Sequence, residues 1–352
     1  MRRHGTLAAQ ALAFALAAAW LATNASAEPK YSEWGPAINV DPTCQGINSS
    51  DDDAGPGISK DGRSLYFGST RKVAGVTQGF DLWVAKRKHT GAPWDPPVHL
   101  RGVKGSEVNS TGTDNVATLT RDGHWMFFNS NRTGSVGSVD IWLSYRRDVQ
   151  DDFAWETPFN AGSINTSGFD GGATYFANKR GAAPQLFYGS GGSLASTQIW
   201  VAELLPDSAC GQHPCFGNAH AVEELKSGAA DQRPSIRFDG LEMFFSSNRL
   251  GSIGLQDIWV TSRNSIEEPW GPPTRLVSAG DPALNTTVNT TAFDMSPNLS
   301  ADGLTLYFAS NRAGGCLDAK GNPTFDIWMT TRTRLNEDQK EEDEDDERTD
   351  SD

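Results

Sequence analysis

The sequence predicts an all-β protein, a five-bladed β-propeller of four-stranded blades whose ring is closed by an N-terminal strand. The first evidence is a D-I-W or related triplet that recurs at steps of 58 to 69 residues, beginning at Asp81, Asp140, Gln198, Asp257 and Asp326. Repetition at this spacing is typical of repeat architectures. The second is an S-x-D-G or related turn signal that precedes four of the five triplets.

Each repeat contains short segments with the apolar alternation or apolar runs of β-strands. Residues 304 to 310 read L-T-L-Y-F-A-S, and Asp302 and Gly303 before them form a hairpin turn signal because glycine readily adopts positive φ. No helical periodicity appears after residue 27. Four antiparallel strands repeated five times indicate a five-bladed propeller.

An orphan segment at the front of the chain predicts how the ring closes. The fourth strand of a repeat begins with an aromatic residue, at Trp94, Trp155, Phe216 and Trp270. A similar segment, W-G-P-A-I-N-V from Trp34, stands before the first repeat, while the fifth repeat has none after Arg334. The N-terminal strand is therefore expected to complete the fifth blade and to remove an open sheet edge.

The run S-A-D-G-L-T-L-Y-F-A-S-N-R followed by D-I-W resembles the WD-like propeller repeats of the TolB family. The resemblance covers about residues 34 to 334, and the same marks appear in order in at least four copies. The chain lacks the separate α/β domain that precedes the propeller in TolB, and its repeats are longer. The resemblance implies a role at the cell envelope without the partner-binding part of TolB itself.

The first 27 residues have the pattern of a secretory signal peptide. Arg2 and Arg3 precede an apolar run over residues 7 to 22, and A-S-A at 25 to 27 offers a cleavage site. No other segment approaches the roughly 18 apolar residues of a membrane span. We therefore assign the propeller to residues 28–335 and expect a periplasmic or secreted protein, as a monomer.

Four cysteines suit an oxidising compartment. Cys210 and Cys215 flank a short loop, while Cys44 and Cys316 fall on the same face of the composite fifth blade. Of the three connectivities that four cysteines allow, the topology favours Cys44 with Cys316 and Cys210 with Cys215.

Residues 336–352 form an acidic tail with eleven acids and two bases. Such a segment cannot bury apolar surface and is expected to be disordered, either as a solubilising tail or as a tether for cations or a basic partner. The formal net charge of the whole chain is −14. An acidic balance of this size argues against nucleic-acid binding, which needs a basic surface.

One set of charged residues is a candidate functional site. Each repeat places an aspartate ahead of its first strand turn, at Asp53, Asp114, Asp170, Asp231 and Asp294, and these are expected to ring one mouth of the channel. The ends of the second strands add Arg71, Arg132, Arg249 and Arg312 on the same face. Because neighbouring carboxylates repel, we expect arginine pairing, a bound divalent cation or protonation of some members. No other cofactor is indicated.

Repeat three departs from this pattern, since Ser190 is followed by Gly191 and Gly192 where the arginine belongs. Asp170 is then the acid expected to lack a partner. The sharper hypothesis is a glycine-lined notch in which a ligand or cation meets Asp170.

Catalytic motifs are otherwise absent from the sequence, since no H-E-x-x-H, paired C-x-x-C or G-x-S-x-G occurs. The primary prediction is an exported, non-catalytic propeller that binds a protein or envelope component through its loop-rich face and acidic channel mouth. The alternative is a glycan-active hydrolase or lyase that uses carboxylates at the channel mouth. A desolvated acid facing a second acid would favour the enzyme, and a ring of paired acids the binding protein.

Overall fold

The computed structural model describes residues 31–73, 79–102, 107–177, 183–210 and 213–335. One compact unit comprises Glu33–Arg332, and a second combines residues 1–32 with 333–352. The predicted signal peptide over residues 1–27 and the acidic tail over residues 336–352 lie outside the described residues.

Five four-stranded antiparallel sheets form the first unit, which confirms the predicted fold class. Blade one contains β2 (Asp53–Ile58), β3 (Ser64–Ser69), β4 (Asp81–Lys86) and β5 (Val98–His99), and blade two contains β6 (Asp114–Leu119), β7 (Trp125–Ser130), β8 (Asp140–Tyr145) and β9 (Phe159–Asn160). Blade three contains β10 (Phe169–Phe176), β11 (Gln185–Gly191), β12 (Gln198–Leu204) and β13 (Phe216–Ala221), and blade four contains β14 (Asp231–Ile236), β15 (Glu242–Ser247), β16 (Asp257–Ser262) and β17 (Thr274–Arg275). Blade five contains β18 (Asp294–Leu299), β19 (Thr305–Ser310), β20 (Asp326–Thr331) and β1 (Ile38–Asn39).

Helical structure in the described part of the chain is limited to short 3₁₀ turns. They lie at Gly162–Ile164, Leu194–Ser196, Asp207–Ala209, Glu223–Leu225 and Pro282–Leu284. No helix among the described residues is long and apolar enough to cross a membrane.

The fifth blade joins the two ends of the propeller, as predicted. Strand β1 pairs antiparallel with β20, with Ile38 opposite Met329. A disulfide between Cys44 and Cys316 lies beside this pairing, with 5.7 Å between the two Cα atoms. The second predicted disulfide, between Cys210 and Cys215, is also present. Both the strand order and the cysteine pairing therefore followed from the sequence.

Apolar side chains fill the junctions between neighbouring blades. The cluster between blades one and two, for example, contains Tyr66 and Leu82 from one blade and Phe128 and Trp142 from the next. The tryptophans of four of the repeated triplets also form cation–π contacts with arginines that follow the second strands. Their guanidinium carbons lie 4.8 to 5.4 Å from the indole centres, in the pairs Arg71 with Trp83, Arg132 with Trp142, Arg249 with Trp259 and Arg312 with Trp328. Each such cation–π contact ties a loop to the blade core.

The innermost strand of every blade contains a β-bulge, and a residue two positions after the ring aspartate lies in it. These residues have positive φ, and they are Gly55, Val116, Gly172, Arg233 and Ser296. The strand register shifts at the same place in each blade, for example between Gln232 and Ser235. A Cβ added at Gly55 would lie 3.0 Å from the Cα of Val116, and one added at Gly172 would lie 2.8 Å from the Cα of Arg233. These bulge residues of neighbouring blades therefore pack against one another around the axis.

Candidate functional site

The five predicted ring aspartates occupy the start of the inner strands, and their side chains are fully buried. Four of them pair with the predicted arginines. The ion pairs are Asp53 with Arg71 at 2.7 Å, Asp114 with Arg132 at 2.6 Å, Asp231 with Arg249 at 2.6 Å, and Asp294 with Arg312. Of the three expected ways to neutralise the ring, arginine pairing is the one that these contacts provide.

The Asp294 site shows what this arrangement does. One carboxylate oxygen accepts hydrogen bonds from the backbone N–H and hydroxyl of Thr290, at 2.6 and 2.8 Å, and the other accepts from Arg312. Arg312 also donates to the backbone carbonyls of Asn285, Thr287 and Val288. The ion pair therefore fixes the connection that enters blade five, which is a structural role.

Asp170 lacks the arginine partner that the other ring aspartates have. Its Oδ2 accepts from the N–H and hydroxyl of Thr166, at 2.5 and 2.8 Å, whereas its Oδ1 has no hydrogen-bond partner among the described residues. Burial raises the pKa of Asp170, and interactions with the nearby Ser190 hydroxyl and with Thr166 oppose that rise only in part.

The glycines beside Asp170 pack closely. A Cβ added at Gly168 would lie 2.1 Å from the carbonyl oxygen of Gly191, and Asp170 itself has no exposed surface. The carboxylate of Asp170 is therefore closed to solvent. The notch at Asp170 stays a prediction.

A second set of buried carboxylates, from the repeated triplets, faces the ring aspartates across the blade junctions. Asp326 accepts hydrogen bonds from Cys316 N–H at 2.7 Å and from the Asn39 side chain at 3.0 Å. Burial, together with the charge of Asp53, raises the pKa of Asp326 to about 6. Burial also raises the pKa of Asp53 to about 6, and the charge of Arg71 offsets only part of that effect.

Metal-binding geometry is not found among the described residues, since no group of three or more His, Cys, Asp or Glu side chains is placed to hold an ion. The divalent cation at the aspartate ring stays a prediction.

An axial cavity of about 160 Å³ lies toward the other end of the inner strands, and all five blades contribute to its wall. The wall includes the hydroxyl and amide side chains of Thr118, Thr174, Ser235 and Asn298, and the aromatic rings of Tyr175, Phe176 and Phe238. None of the five ring aspartates is in this wall, and no described residue of the wall is acidic. Burial and the charge of Asp122 raise the pKa of Tyr175, so its phenol stays protonated at neutral pH.

A larger cleft of about 390 Å³ adjoins the cavity between blades one and two. The two spaces share Lys60, Leu119 and Arg121. The volume of the cleft lies within the range of about 300 to 1,000 Å³ that is usual for ligand pockets. Cavity and cleft are therefore adjacent at these three residues, and we call the two spaces together the axial site.

The exposed carboxylates of the axial site belong to two of the repeated turns. Asp61 accepts a hydrogen bond from the Ser59 hydroxyl at 2.7 Å, and Asp122 accepts one from the Thr120 hydroxyl at 2.5 Å, each through Oδ1. Among the described residues, neither Oδ2 has a hydrogen-bond partner. Each aspartate thus keeps one oxygen for the turn and presents the other to the cleft.

A third aspartate of the cleft, Asp152, is buried and fully engaged. It accepts hydrogen bonds from Tyr66 at 2.5 Å, Ser64 at 2.8 Å and Arg146 at 2.7 Å, and Lys86 lies 2.9 Å away. Burial acts to raise the pKa of Asp152, but the hydrogen bonds outweigh it and hold the pKa below its usual value. Asp152 therefore stays ionised and supports the floor of the cleft.

Sequence reasoning missed the axial site because it followed residues that recur in every repeat. The cavity wall instead uses positions at which the repeats differ, for example Leu119 in blade two against Tyr175 in blade three, and Ser235 in blade four against Asn298 in blade five. The available signal was this variation at the ends of the inner strands.

No protein-family model matches the chain, and no curated protein is similar to it in sequence. Many solved structures share its fold. The catalytic domain of the family 62 α-L-arabinofuranosidase from Coprinopsis cinerea aligns with 87% of this chain and 98% of its own, at 12% identity and a TM-score of 0.51. A GH43_1 enzyme from Xanthomonas citri, complexed with xylotriose, aligns with 86% of this chain and 91% of its own, at 14% identity and a TM-score of 0.51. TolB from Acinetobacter baumannii aligns with 88% of this chain and 66% of its own, at 13% identity and a TM-score of 0.43.

These comparisons contradict the primary prediction of a non-catalytic binding propeller. The similar structures include glycoside hydrolases of families 43 and 62, which favours the glycan-active alternative. TolB is a structural neighbour, but its score carries no further argument. At these identities the likeness shows the fold alone, and an activity has to be argued from the site.

Proposed function

We propose that the chain is a glycan-active enzyme, a hydrolase or a lyase, whose sugar ligand occupies the axial site. The adjacency of cavity and cleft at Lys60, Leu119 and Arg121 carries the proposal, because two neighbouring spaces suit successive rings of a short sugar chain. Hydroxyl and amide groups beside aromatic rings complement sugars, which present both hydroxyls and apolar ring faces. The glycoside hydrolases that share the fold support this ligand class.

Asp61 and Asp122 are the carboxylates that we assign to the chemistry. Glycoside hydrolysis generally uses two carboxyl groups that flank the bond to be broken. Both aspartates are exposed, both line the cleft, and each has one oxygen outside its turn. The charge of Asp122 also acts on Tyr175 in the cavity wall, so this carboxylate lies near both parts of the axial site.

Export and a TolB-like ancestry belong to the same proposal. The repeat marks S-x-D-G, S-N-R and D-I-W support the ancestry. Two disulfides support a secreted or periplasmic location, because disulfides persist mainly in oxidising compartments.

The test is turnover of a panel of neutral and acidic oligosaccharides by the purified full chain. New reducing ends report hydrolysis, and unsaturated sugars detected by ultraviolet absorbance report a lyase. Asp61→Asn and Asp122→Asn keep an acceptor oxygen for the turn and should each lower kcat by about 10² or more, the usual contribution of a general acid or base.

The matched control is Asp302→Asn, since Asp302 makes the same turn contact with Ser300 at 2.5 Å but lies outside the axial site. This variant should keep wild-type turnover. Absence of product from every glycan would contradict the activity, and full turnover by Asp61→Asn and Asp122→Asn would contradict the assignment of the site.

A further inference from the structure

The axial site carries positive charge that nearby residues do not neutralise. Lys60 and Arg121 are exposed in the wall shared by cavity and cleft, and neither forms an ion pair within the described residues. The guanidinium carbon of Arg121 lies 4.6 Å from the centre of the Phe238 ring, and this cation–π contact holds the charge at the rim.

The remaining charges of the cleft do not reverse this balance. Lys86 and Arg146 are engaged with Asp152, at 2.9 and 2.7 Å. Asp61 and Asp122 then face three cations that line the same cleft, Lys60, Arg63 and Arg121. The cavity wall adds no acid.

A further cation, Arg233, lies on the inner strand of blade four next to the cavity, although it is not one of the residues that line the cavity. It is the third residue of β14, two positions before Ser235 of the cavity wall, and its φ is 55°. Its Nη1 donates to the Ser296 hydroxyl at 2.7 Å and contacts the Met295 sulfur at 3.0 Å. Its Nε is buried without a hydrogen-bond partner, and no carboxylate among the described residues pairs with it. Burial lowers the pKa of Arg233 to about 10, so the side chain is charged at neutral pH.

The stem of Arg233 packs against Gly172 of blade three, but this contact does not involve the charge. The equivalent residues of the other four blades are smaller, namely Gly55, Val116, Gly172 and Ser296. A buried cation without an anion costs stability, and a non-glycine residue with positive φ adds strain. A bound anionic group would satisfy the guanidinium, whose planar donors match carboxylate and sulfate oxygens.

We propose that the glycan of the axial site is anionic and carries carboxylate or sulfate groups, which Lys60, Arg121 and Arg233 bind. This inference rests on the proposed function, because it names the substrate class of the same site. The positive charge of the site thus has the opposite sign to the formal net charge of the whole chain, −14.

The experiment is calorimetric titration of the full chain with oligosaccharides of equal length in three sets: neutral xylo-oligosaccharides, uronate oligosaccharides and sulfated galactan oligosaccharides. At low salt, one or both anionic sets should bind at least tenfold more tightly than the neutral set, and added salt should reduce that preference. Which anionic set binds more tightly distinguishes carboxylate from sulfate.

Three variants and a control test the residues. Arg233→Gln should weaken binding of the anionic set about tenfold or more, the usual effect of losing a hydrogen bond between charged partners. Lys60→Gln and Arg121→Gln should each weaken it severalfold, because their charges are exposed to solvent. Lys320→Gln removes an exposed lysine that lines neither part of the axial site, and it should leave binding unchanged.

The outcomes separate this inference from the proposed function. Turnover or binding of neutral glycans at least as good as that of anionic ones would overturn the inference and leave the glycan-active enzyme standing. Tight binding of an anionic set without product would support the inference and overturn the activity. Absence of both binding and turnover would overturn both. Anionic binding that survives all three substitutions would also overturn the inference, because the ligand would then bind elsewhere.

Discussion

The starts of blade five and blade three show the same buried carboxylate in two different settings. Asp294 pairs with Arg312, which also holds three backbone carbonyls of the incoming connection. Asp170 is equally buried but has no arginine, and the close packing of Gly168 on Gly191 replaces it. A blade can therefore form with or without this ion pair. The stability lost when the arginine is removed should depend on the other hydrogen bonds that the arginine donates. The predictions below test this difference.

The largest effect should come from Arg312→Met. The substitution leaves Asp294 buried without its counter-ion and frees the carbonyls of Asn285, Thr287 and Val288. We expect a loss of about 3–5 kcal/mol in the free energy of unfolding, measured in urea at pH 7. The control is Arg275→Met, which removes one exposed hydrogen bond to Gly251. A loss below about 1 kcal/mol for Arg312→Met would show that the ion pair is dispensable in blade five as well.

A pH-dependent effect is expected at the junction of blades five and one, where Asp326 faces Asp53. The pKa of Asp326 is about 6 in the folded chain and 3.8 ordinarily, so the folded state holds the proton more tightly. The stability that this group contributes is present below pH 3.8 and is lost as pH rises through about 6. Unfolding measured between pH 3.5 and 7.5 should show a fall of at most about 3 kcal/mol that Asp326→Asn lacks, at 1.36 kcal/mol per pKa unit.

Asp318, a half-buried aspartate, has a pKa shift of the opposite sign and provides a comparison. Hydrogen bonds from Asn322 and Lys320 hold the pKa of Asp318 below its usual value. The stability from Asp318 should therefore be present above pH 3.8 and be lost as pH falls, and Asp318→Asn should remove that acid-side loss. The same slope in both variants would contradict the separate titration of the two groups.

The smallest effect should be a gain, from restoring the missing arginine by Gly192→Arg. Asp170 lies opposite Ser190 as Asp294 lies opposite Ser310, so residue 192 holds the place of Arg312. A Cβ at Gly192 would meet only the Ser196 hydroxyl, at 3.9 Å. A hydrogen bond to the buried carboxylate should raise the free energy of unfolding by about 1–2 kcal/mol.

Two variants control this gain. Gly192→Gln adds a long polar side chain without the charge and should give less than half of the effect. Combining Gly192→Arg with Asp170→Asn should abolish it, since no carboxylate remains. An equal gain in the double variant would show that the arginine acts through another contact.

The sequence was sufficient for the fold because every blade depends on the same local chemistry. Asp302 and Gly303 set the turn, Arg312 and Trp328 fix the loop onto the core, and the orphan segment at Trp34 completes the fifth blade. These residues act within one repeat or between adjacent repeats, so their spacing reveals them.

The axial site could not be read in this way. Its wall depends on five strand ends that are 50 to 65 residues apart and that carry different side chains, such as Thr118, Tyr175 and Asn298. Only closure of the ring brings them together. The sequence also could not single out Arg233, because only the folded structure shows that no carboxylate pairs with it. The five repeated aspartates were predicted as a site because they recur in every repeat. They recur because four of them form the same structural ion pair with an arginine of their own blade.

The pairing of β1 with β20 makes the order of synthesis matter for folding. Residues 38 and 39 emerge early but have no sheet to join until residues 328 and 329 exist. Residues 38 and 39 must therefore stay unpaired while almost the whole propeller is synthesised. Contacts between residues this far apart in sequence form slowly. Completion of the ring, and with it the bond from Cys44 to Cys316, is the natural last step of maturation.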